Sequence, residues 1–181
     1  MGFSVYTLRV TRTEPPRYRK TSRDRRDPGR TRRACVPMMR VPVFRVVLRK
    51  ERTIRVPVVE ITHREAAVNV AHALIGDSPF EKMLAILMNN AGEVVGAIVI
   101  ATSSSISDTA VSMRGIFTAA IAHNASAIIL AHNHPSGRTE PSAQDLAVTR
   151  KAVEASAILG IPILDHVIVT RDRDNYGSIP C

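Results

Sequence analysis

Two hydrophobic periodicities alternate along residues 41–181, and their order constrains the fold more than any other feature of this chain. Residues 41–48 and 53–61 are rich in Val and Ile with charges between, and Lys50–Glu51 is the expected turn of a hairpin. Thr62 followed by Glu65 has the spacing of a capping box, and Ala66, Val70 and Leu74 then repeat at helical intervals. That helix is expected to end near Gly76, with Pro79 just beyond. Residues 83–88 and 94–100 read as strands joined by the turn chemistry of Asn89-Asn90-Ala91-Gly92. A polar loop at 102–107 precedes a helix from 111 to about 122, with Ile116, Ala119 and Ala120 on one face. A short buried strand at 127–130 leads into a loop over 132–141. Residues 142–159 form a helix stopped by Gly160, and 161–169 a last strand. The order β-β-α-β-β-α-β-α-β predicts a mixed α/β layer.

The formal charge of +9 is not a property of that layer. Residues 1–40 hold 12 Lys and Arg against 3 acids, the whole excess, while residues 41–181 hold 13 of each. The first 40 residues are dominated by Arg, Pro and Thr and are expected to be a disordered basic arm, because they cannot bury enough apolar surface to offset their ordering entropy. Met38 and Met39 stand where periodic sequence begins, which would also fit a start there with the arm a mis-called leader. The arm holds all of the net charge and none of the apolar periodicity, so it is expected to be dispensable for folding. The charge distribution does not support a basic globular face for nucleic acid; any nucleic-acid partner is expected through the arm alone. Cys35 and Cys181 lie in the arm and at the last position, where neither staples a core, which favours a reducing compartment. The longest apolar run, 94–101, is far short of the ~20 residues that span a bilayer. No signal-peptide core opens the chain, and Tyr6 breaks the myristoylation pattern that Met1-Gly2 begins. The expected compartment is the cytoplasm, with no membrane association.

The chemistry concentrates in Ala131-His132-Asn133-His134-Pro135-Ser136-Gly137 and in the start of the next helix. Residues two apart on an extended strand point to the same side about 6.6 Å apart, so His132 and His134 can converge on one metal ion. Asp145 comes eleven residues after His134 and three after Ser142, on the first turn of the long helix. A carboxylate there can be a third ligand, leaving a fourth position for water, as catalytic zinc sites do. Ser142-x-x-Asp145 is also the pattern of a helix cap, and a single His-x-His is commonly structural.

The spacing His132-x-His134, seven residues, Ser142, two residues, Asp145 resembles the JAMM metal motif of JAB/MPN-domain metalloproteases. The flanking segments 128–137 and 164–169 look like its bacterial RadC branch, with the likeness running from about Phe80 to Thr170. The resemblance implies a JAB/MPN (deaminase-like) three-layer fold, a mixed sheet flanked by helices, over residues 41–181. It implies Zn2+ held by His132, His134 and Asp145, an oxyanion-stabilising role for Ser142, and a peptide or protein substrate cleaved at a peptide or isopeptide bond. It also carries the family label of DNA repair.

JAMM chemistry needs a glutamate on an earlier strand to take a proton from water. Registering Gly96 and the turn at 89–92 against RadC-like sequences puts that position at Ile98, which cannot accept a proton. Glu60, Glu81 and Glu93 are the nearest carboxylates that could replace it. His166 reads as a core or sheet-edge histidine, and His63, His72 and His123 as surface or boundary residues. Arg114 matches an arginine of RadC-like proteins, and packing or capping explains it equally well. Arg138, Arg150 and Lys151 are expected to ring the metal site. Two functions are therefore expected in competition: a zinc-dependent hydrolase, favoured by the metal set, and a non-catalytic zinc-binding module acting through protein or DNA contacts, favoured by Ile98 and the arm.

Overall fold

The computed structural model describes residues 2–12, 44–56, 60–103 and 111–181. The elements are β1 (Gly2–Arg12), β2 (Phe44–Arg55), α1 (Arg64–Ala71) continued by a π-helical turn (His72–Gly76), β3 (Glu81–Met88), β4 (Val94–Ser103), α2 (Met113–Ala122), β5 (Ala127–Asn133), α3 (Ala143–Leu159), β6 (Ile163–Val169) and β7 (Tyr176–Ile179). The chain divides into one compact unit of Met1–Thr7 with Leu48–Cys181 and another of Leu8–Val47. The second is described only at the ends of β1 and β2. Among the described residues no helix is long and apolar enough to cross a membrane.

The strands order as β2-β1-β4-β3-β5-β6-β7. β3 is antiparallel to both β4 and β5, β5 is parallel to β6, and β7 returns antiparallel to β6. The central strands are covered on both sides, which is why β3 and β5 read as nearly unbroken apolar runs. Every residue from Met83 to Met88 is at most 3% exposed. α1 and its π-turn lay Ala67, Val70, Ala71 and Ile75 on the face formed by Leu84, Ile86, Ile129 and Val167. α2 and α3 lay Ile116, Phe117, Val148 and Ala152 on the face formed by Met83, Ala85, Leu87, Ile128 and Leu130. Each fully buried Ile or Leu contributes roughly 1.5–3 kcal/mol, so two packed faces hold the sheet that carries the site. This is the expected mixed α/β fold in three layers.

Several boundaries differ from the sequence expectation. The predicted hairpin over 41–61 is absent among the described residues: Lys50 and Glu51 lie inside the continuous strand β2. A Lys-Glu pair offers none of the backbone freedom of Gly or Asn and none of the restriction of Pro that make turns. Residues 2–12 form a strand rather than a disordered arm, and Val5 pairs in parallel with Ala97 of β4. The local reason is the apolar, largely β-branched and aromatic content of Phe3, Val5, Tyr6, Leu8 and Val10, which the charge of the segment as a whole obscures. The rest of the expected arm, the expected boundary at 40/41, and most of the loop expected at 102–107 lie outside the described residues. The Thr62/Glu65 capping box does not form. His63 is the cap residue, Thr62 Oγ1 lies 3.0 Å from the His63 ring, and Glu65 accepts a hydrogen bond from the Tyr176 hydroxyl instead. The Ser142 cap and the Gly160 stop are both present, the latter at φ 68°.

Candidate metal centre

β5 delivers the first histidine. His132 is fully buried and shares the α3-facing side of the sheet with Ile128 and Leu130. The strand runs further than expected, through Asn133, which is also fully buried and faces the other way. His134 N–H still bonds the Val169 carbonyl at 2.9 Å, and the chain then turns at Gly137, whose φ of 80° suits glycine. α3 supplies the carboxylate. Ser142 Oγ accepts from the Asp145 N–H at 3.2 Å, while Asp145 Oδ2 accepts from the Ser142 N–H at 2.8 Å and from its hydroxyl at 2.6 Å. Capping and ligation are not alternatives here, because the cap is what aims the carboxylate.

The three groups converge. His132 Nε2 and His134 Nε2 are 3.0 Å apart, Asp145 Oδ1 is 3.3 Å from the first, and Oδ2 is 3.6 Å from the second. Donors held ~2.0–2.1 Å from a tetrahedral zinc lie ~3.3 Å from one another, so the observed spacings bracket the requirement. His132, His134 and Asp145 are the group of potential ligands found among the described residues.

The hydrogen-bond partners assign the tautomers. Thr149 Oγ1 donates to the Asp145 carbonyl at 2.7 Å, so it accepts from His166 Nδ1–H at 2.6 Å. Burial, and after it the neighbouring His132, holds His166 well below its ordinary pKa, so this ring is neutral and has one proton to give. Its bare Nε2 therefore accepts from His132 Nδ1–H at 2.8 Å. His134 Nδ1–H donates to the Arg138 carbonyl at 2.9 Å. Both histidines thus turn an Nε2 lone pair toward the Asp145 carboxylate. Three electron-rich atoms at such distances repel one another unless a cation lies between them, and this donor set fits a metal ion. Without one, a proton takes that role. Burial pushes the Asp145 carboxyl up, but hydrogen bonding to His132 and His134 outweighs it and holds the group far below the usual carboxylate range. In turn the hydrogen bond to Asp145 raises His134, against its own burial.

An open cavity of about 750 Å³ adjoins the centre, lined by Glu81, His134, Ser136, Arg138, Glu140, Ser142, Gln144 and Asp145. Two glutamates line it besides Asp145: Glu140, in the loop before α3, and Glu81, at the start of β3, whose charge acts on His134 through space. Ile98 is not at that position. On β4, Ile98 pairs with Ala85 of β3 and packs, partly buried, against the apolar cluster under α2 and α3. The expectation that Ile98 faces the site is not met: two neighbouring strands of this sheet carry apolar runs, and turn-counting from 89–92 selected β4, whereas the strand that brings a glutamate to the cavity is β3. Glu93 and Glu60 bridge one another at the opposite end of the hairpin. At ~3.4 Å per residue, the seven steps along β3 put them roughly 24 Å from Glu81.

Of the three expected cationic neighbours only Arg138 lines the cavity. Arg150 lines a separate one of about 330 Å³ with Leu146 and Val153, and Lys151 is exposed on α3. The reading of His166 as a buried histidine holds, but it missed the hydrogen bond to His132. A usable signal existed: the buried stripe of α3 is Asp145, Val148, Thr149, Ala152 and Ser156, and polar residues on a core-facing stripe mark something to be bonded.

Residues 61–179 match the family model of the RadC-like JAB domain. A UPF0758 protein of Porphyromonas gingivalis is 36% identical over 124 residues, 65% of this chain and 54% of that protein. UPF0758 proteins of Rubrobacter xylanophilus and Methanospirillum hungatei are 45% and 44% identical over 89 and 93 residues. These alignments cover 49% and 51% of this chain and 39% and 41% of those proteins, so the chain spans about half or less of the curated relatives it matches. With the family model covering well over half of its length, the chain belongs to the RadC-like JAB domain family.

Proposed function

We propose that this protein is a zinc-dependent hydrolase of peptide or isopeptide bonds, with His132, His134 and Asp145 as the metal ligands and Glu81 as the general base. The observation that carries the reading is the convergence of two Nε2 lone pairs and a carboxylate beside a cavity that a second carboxylate enters. A zinc ion held by these three residues supplies Lewis acidity toward a carbonyl and toward water. Glu81 takes the proton of the attacking water and delivers it to the departing amine, a contribution of ~10²–10⁴-fold for a well-placed base. Asp145, anchored by Ser142, keeps its oxygens directed at the centre. Ser142 also borders the cavity and is the group offered to a developing oxyanion, giving up its bond to Asp145 to do so. The polar lining favours a backbone or Lys-linked amide over a large apolar side chain.

The alternative of a non-catalytic zinc-binding module acting through protein or DNA contacts drew on Ile98, which packs in the apolar cluster and does not line the cavity. The charge of residues 1–40 is what remains to it. Protein purified without a histidine tag is expected to hold about one zinc per chain, lost in His132→Ala and in Asp145→Ala. It is expected to cleave a peptide or Lys-isopeptide library in a chelator-sensitive manner. Zinc binding with no cleavage across such a library would favour the module.

A further inference from the structure

We infer that Asn133, the residue between the two metal-ligating histidines, is a positioning residue that fixes Glu81 over the centre. The inference rests on the role proposed above for Glu81. The β3–β5 ladder runs from Met88↔Ala127 to Met83↔His132 and stops there. Continued, it would set Lys82 opposite Asn133 and Glu81 opposite His134. The Asn133 side chain replaces those missing rungs. Its Oδ1 accepts from the Lys82 N–H at 2.8 Å, and its Nδ2 donates to the Phe80 carbonyl at 3.1 Å and the Ser78 carbonyl at 3.2 Å.

The Phe80 carbonyl belongs to the peptide group before Glu81, and the Lys82 N–H to the one after it. Both peptide planes flanking Glu81 are therefore held by one buried amide, which restrains both backbone dihedrals of Glu81 and so the direction in which its side chain leaves the strand. On the other edge, β4 pairs Glu81 with Ser103 and Lys82 with Thr102. Holding both planes needs one acceptor and one donor on a short planar group, and a second donor anchors the Ser78 carbonyl. Asn supplies them; Asp has no donors when ionised, and aliphatic residues have neither. Because successive strand residues face opposite sides, His132 reaches the metal centre from one face of β5 while Asn133 grips the base-bearing segment from the other. Ligand and base are tied to a single strand end.

The test uses Asn133→Ala and Asn133→Asp in the full chain, the second keeping side-chain size and the acceptor for Lys82 should the first fail to fold. Zinc content is expected to stay at the wild-type level. Turnover is expected to fall about 10²-fold, the order of loss from a misplacement near 1 Å, with KM unchanged. In a Glu81→Gln background, adding either Asn133 substitution is expected to slow turnover no further, since Asn133 acts through Glu81. An equal loss with and without Glu81 overturns the inference. In metal-free protein, amide hydrogen exchange of Lys82 is expected to speed up in Asn133→Ala while that of Ile168 does not. Unchanged Lys82 protection also overturns it. Should the wild type bind zinc and cleave nothing, the hydrolase reading fails on its own, and Lys82 exchange still decides whether Asn133 holds the segment.

Discussion

His132 Nδ1 lies 2.8 Å from His166 Nε2, and this contact, buried with both rings fully inaccessible, decides which nitrogen of His132 faces the metal centre. The relay from the Asp145 carbonyl through the Thr149 hydroxyl and His166 to His132 leaves a single consistent placement of protons. His166→Ala removes the acceptor and frees His132 to adopt the other tautomer or to rotate. Losses of outer partners of metal-bound histidines cost ~10–100-fold in affinity, and a loss in that range is expected for zinc, read by competition with a chromogenic chelator. Thr149→Val should move affinity the same way by less. Wild-type affinity in His166→Ala would show that packing alone orients His132.

Glu81 and Ile98 make opposite predictions about where a base is needed. Glu81→Gln is expected to keep zinc and lose turnover by ~10²–10⁴-fold. Ile98→Glu is expected to gain no activity and to melt earlier, because it places an unpaired carboxylate against the apolar cluster beneath α2 and α3. Faster turnover in Ile98→Glu would return the base to β4.

Ser142 holds Asp145 by three hydrogen bonds, two of them through its side chain. Ser142→Ala is expected to cost ~1 kcal/mol as a lost helix cap, a fall of ~2–4 °C in Tm for a chain of this size. It is also expected to weaken zinc binding, because the carboxylate loses its hydroxyl anchor. Ser142→Thr keeps the hydroxyl and should retain both. A Tm drop in Ser142→Ala with undiminished zinc affinity would separate the cap from the site.

The His132, His134 and Asp145 group was legible in the sequence because its spacing is local: two residues along one strand and a cap box on one helix turn. The helix stops and the central strands were legible because burial on both faces writes long apolar runs. What was not legible depends on pairings far apart in the chain. Glu81 and Asn133 are far apart in sequence, and only the β3–β5 register brings Glu81 to the site. His166 reaches His132 across 34 positions through the parallel β5–β6 pair. β1 went unread because a strongly basic segment hid a local strand pattern. β7 went unread because four residues, Tyr-Gly-Ser-Ile, carry too little periodicity to register.

Cys181 tests the electrostatics away from the centre. Cys181 is exposed overall, but partial burial of its sulfur, with the Asp165 charge adding to it, pushes the thiol up to about 11, and its Sγ–H donates to the Ile179 carbonyl. The thiolate is the reactive form, so in a Cys35→Ser background the thiol is expected to alkylate slowly at pH 8. Against a free cysteine of pKa ~8.5 the rate should be lower by roughly two orders of magnitude. The rate should keep rising to near pH 11. A plateau by about pH 9 would show a thiol with an ordinary environment.

The unread strand β7 supports the site loop through Gly177. A Cβ on Gly177 would fall on the Thr139 carbonyl and close to the Thr139 side chain. One turn of the same loop is tied down by Asn175, whose Nδ2 donates to the Gly137 carbonyl at 3.0 Å. Three consecutive carbonyls of the loop therefore have fixed duties: Gly137 toward Asn175, Arg138 toward the His134 ring, and Thr139 over Gly177. Pushing Thr139 away must shift its neighbour Arg138, which orients His134. Gly177→Ala is thus expected to cost the ~1–3 kcal/mol typical of overpacking and also to lower zinc affinity, a coupling that an ordinary strand mutation would lack. Gly115→Ala is the control. Its Cβ would meet Ser112 at 3.5 Å, ordinary contact, within α2, where replacing Gly by Ala stabilises a helix by up to ~1 kcal/mol. Thermal melts and chelator competition on the two variants should diverge in opposite directions for stability, with affinity falling in Gly177→Ala alone. Equal zinc affinity in both variants would mean that the loop carries His134 without help from β7.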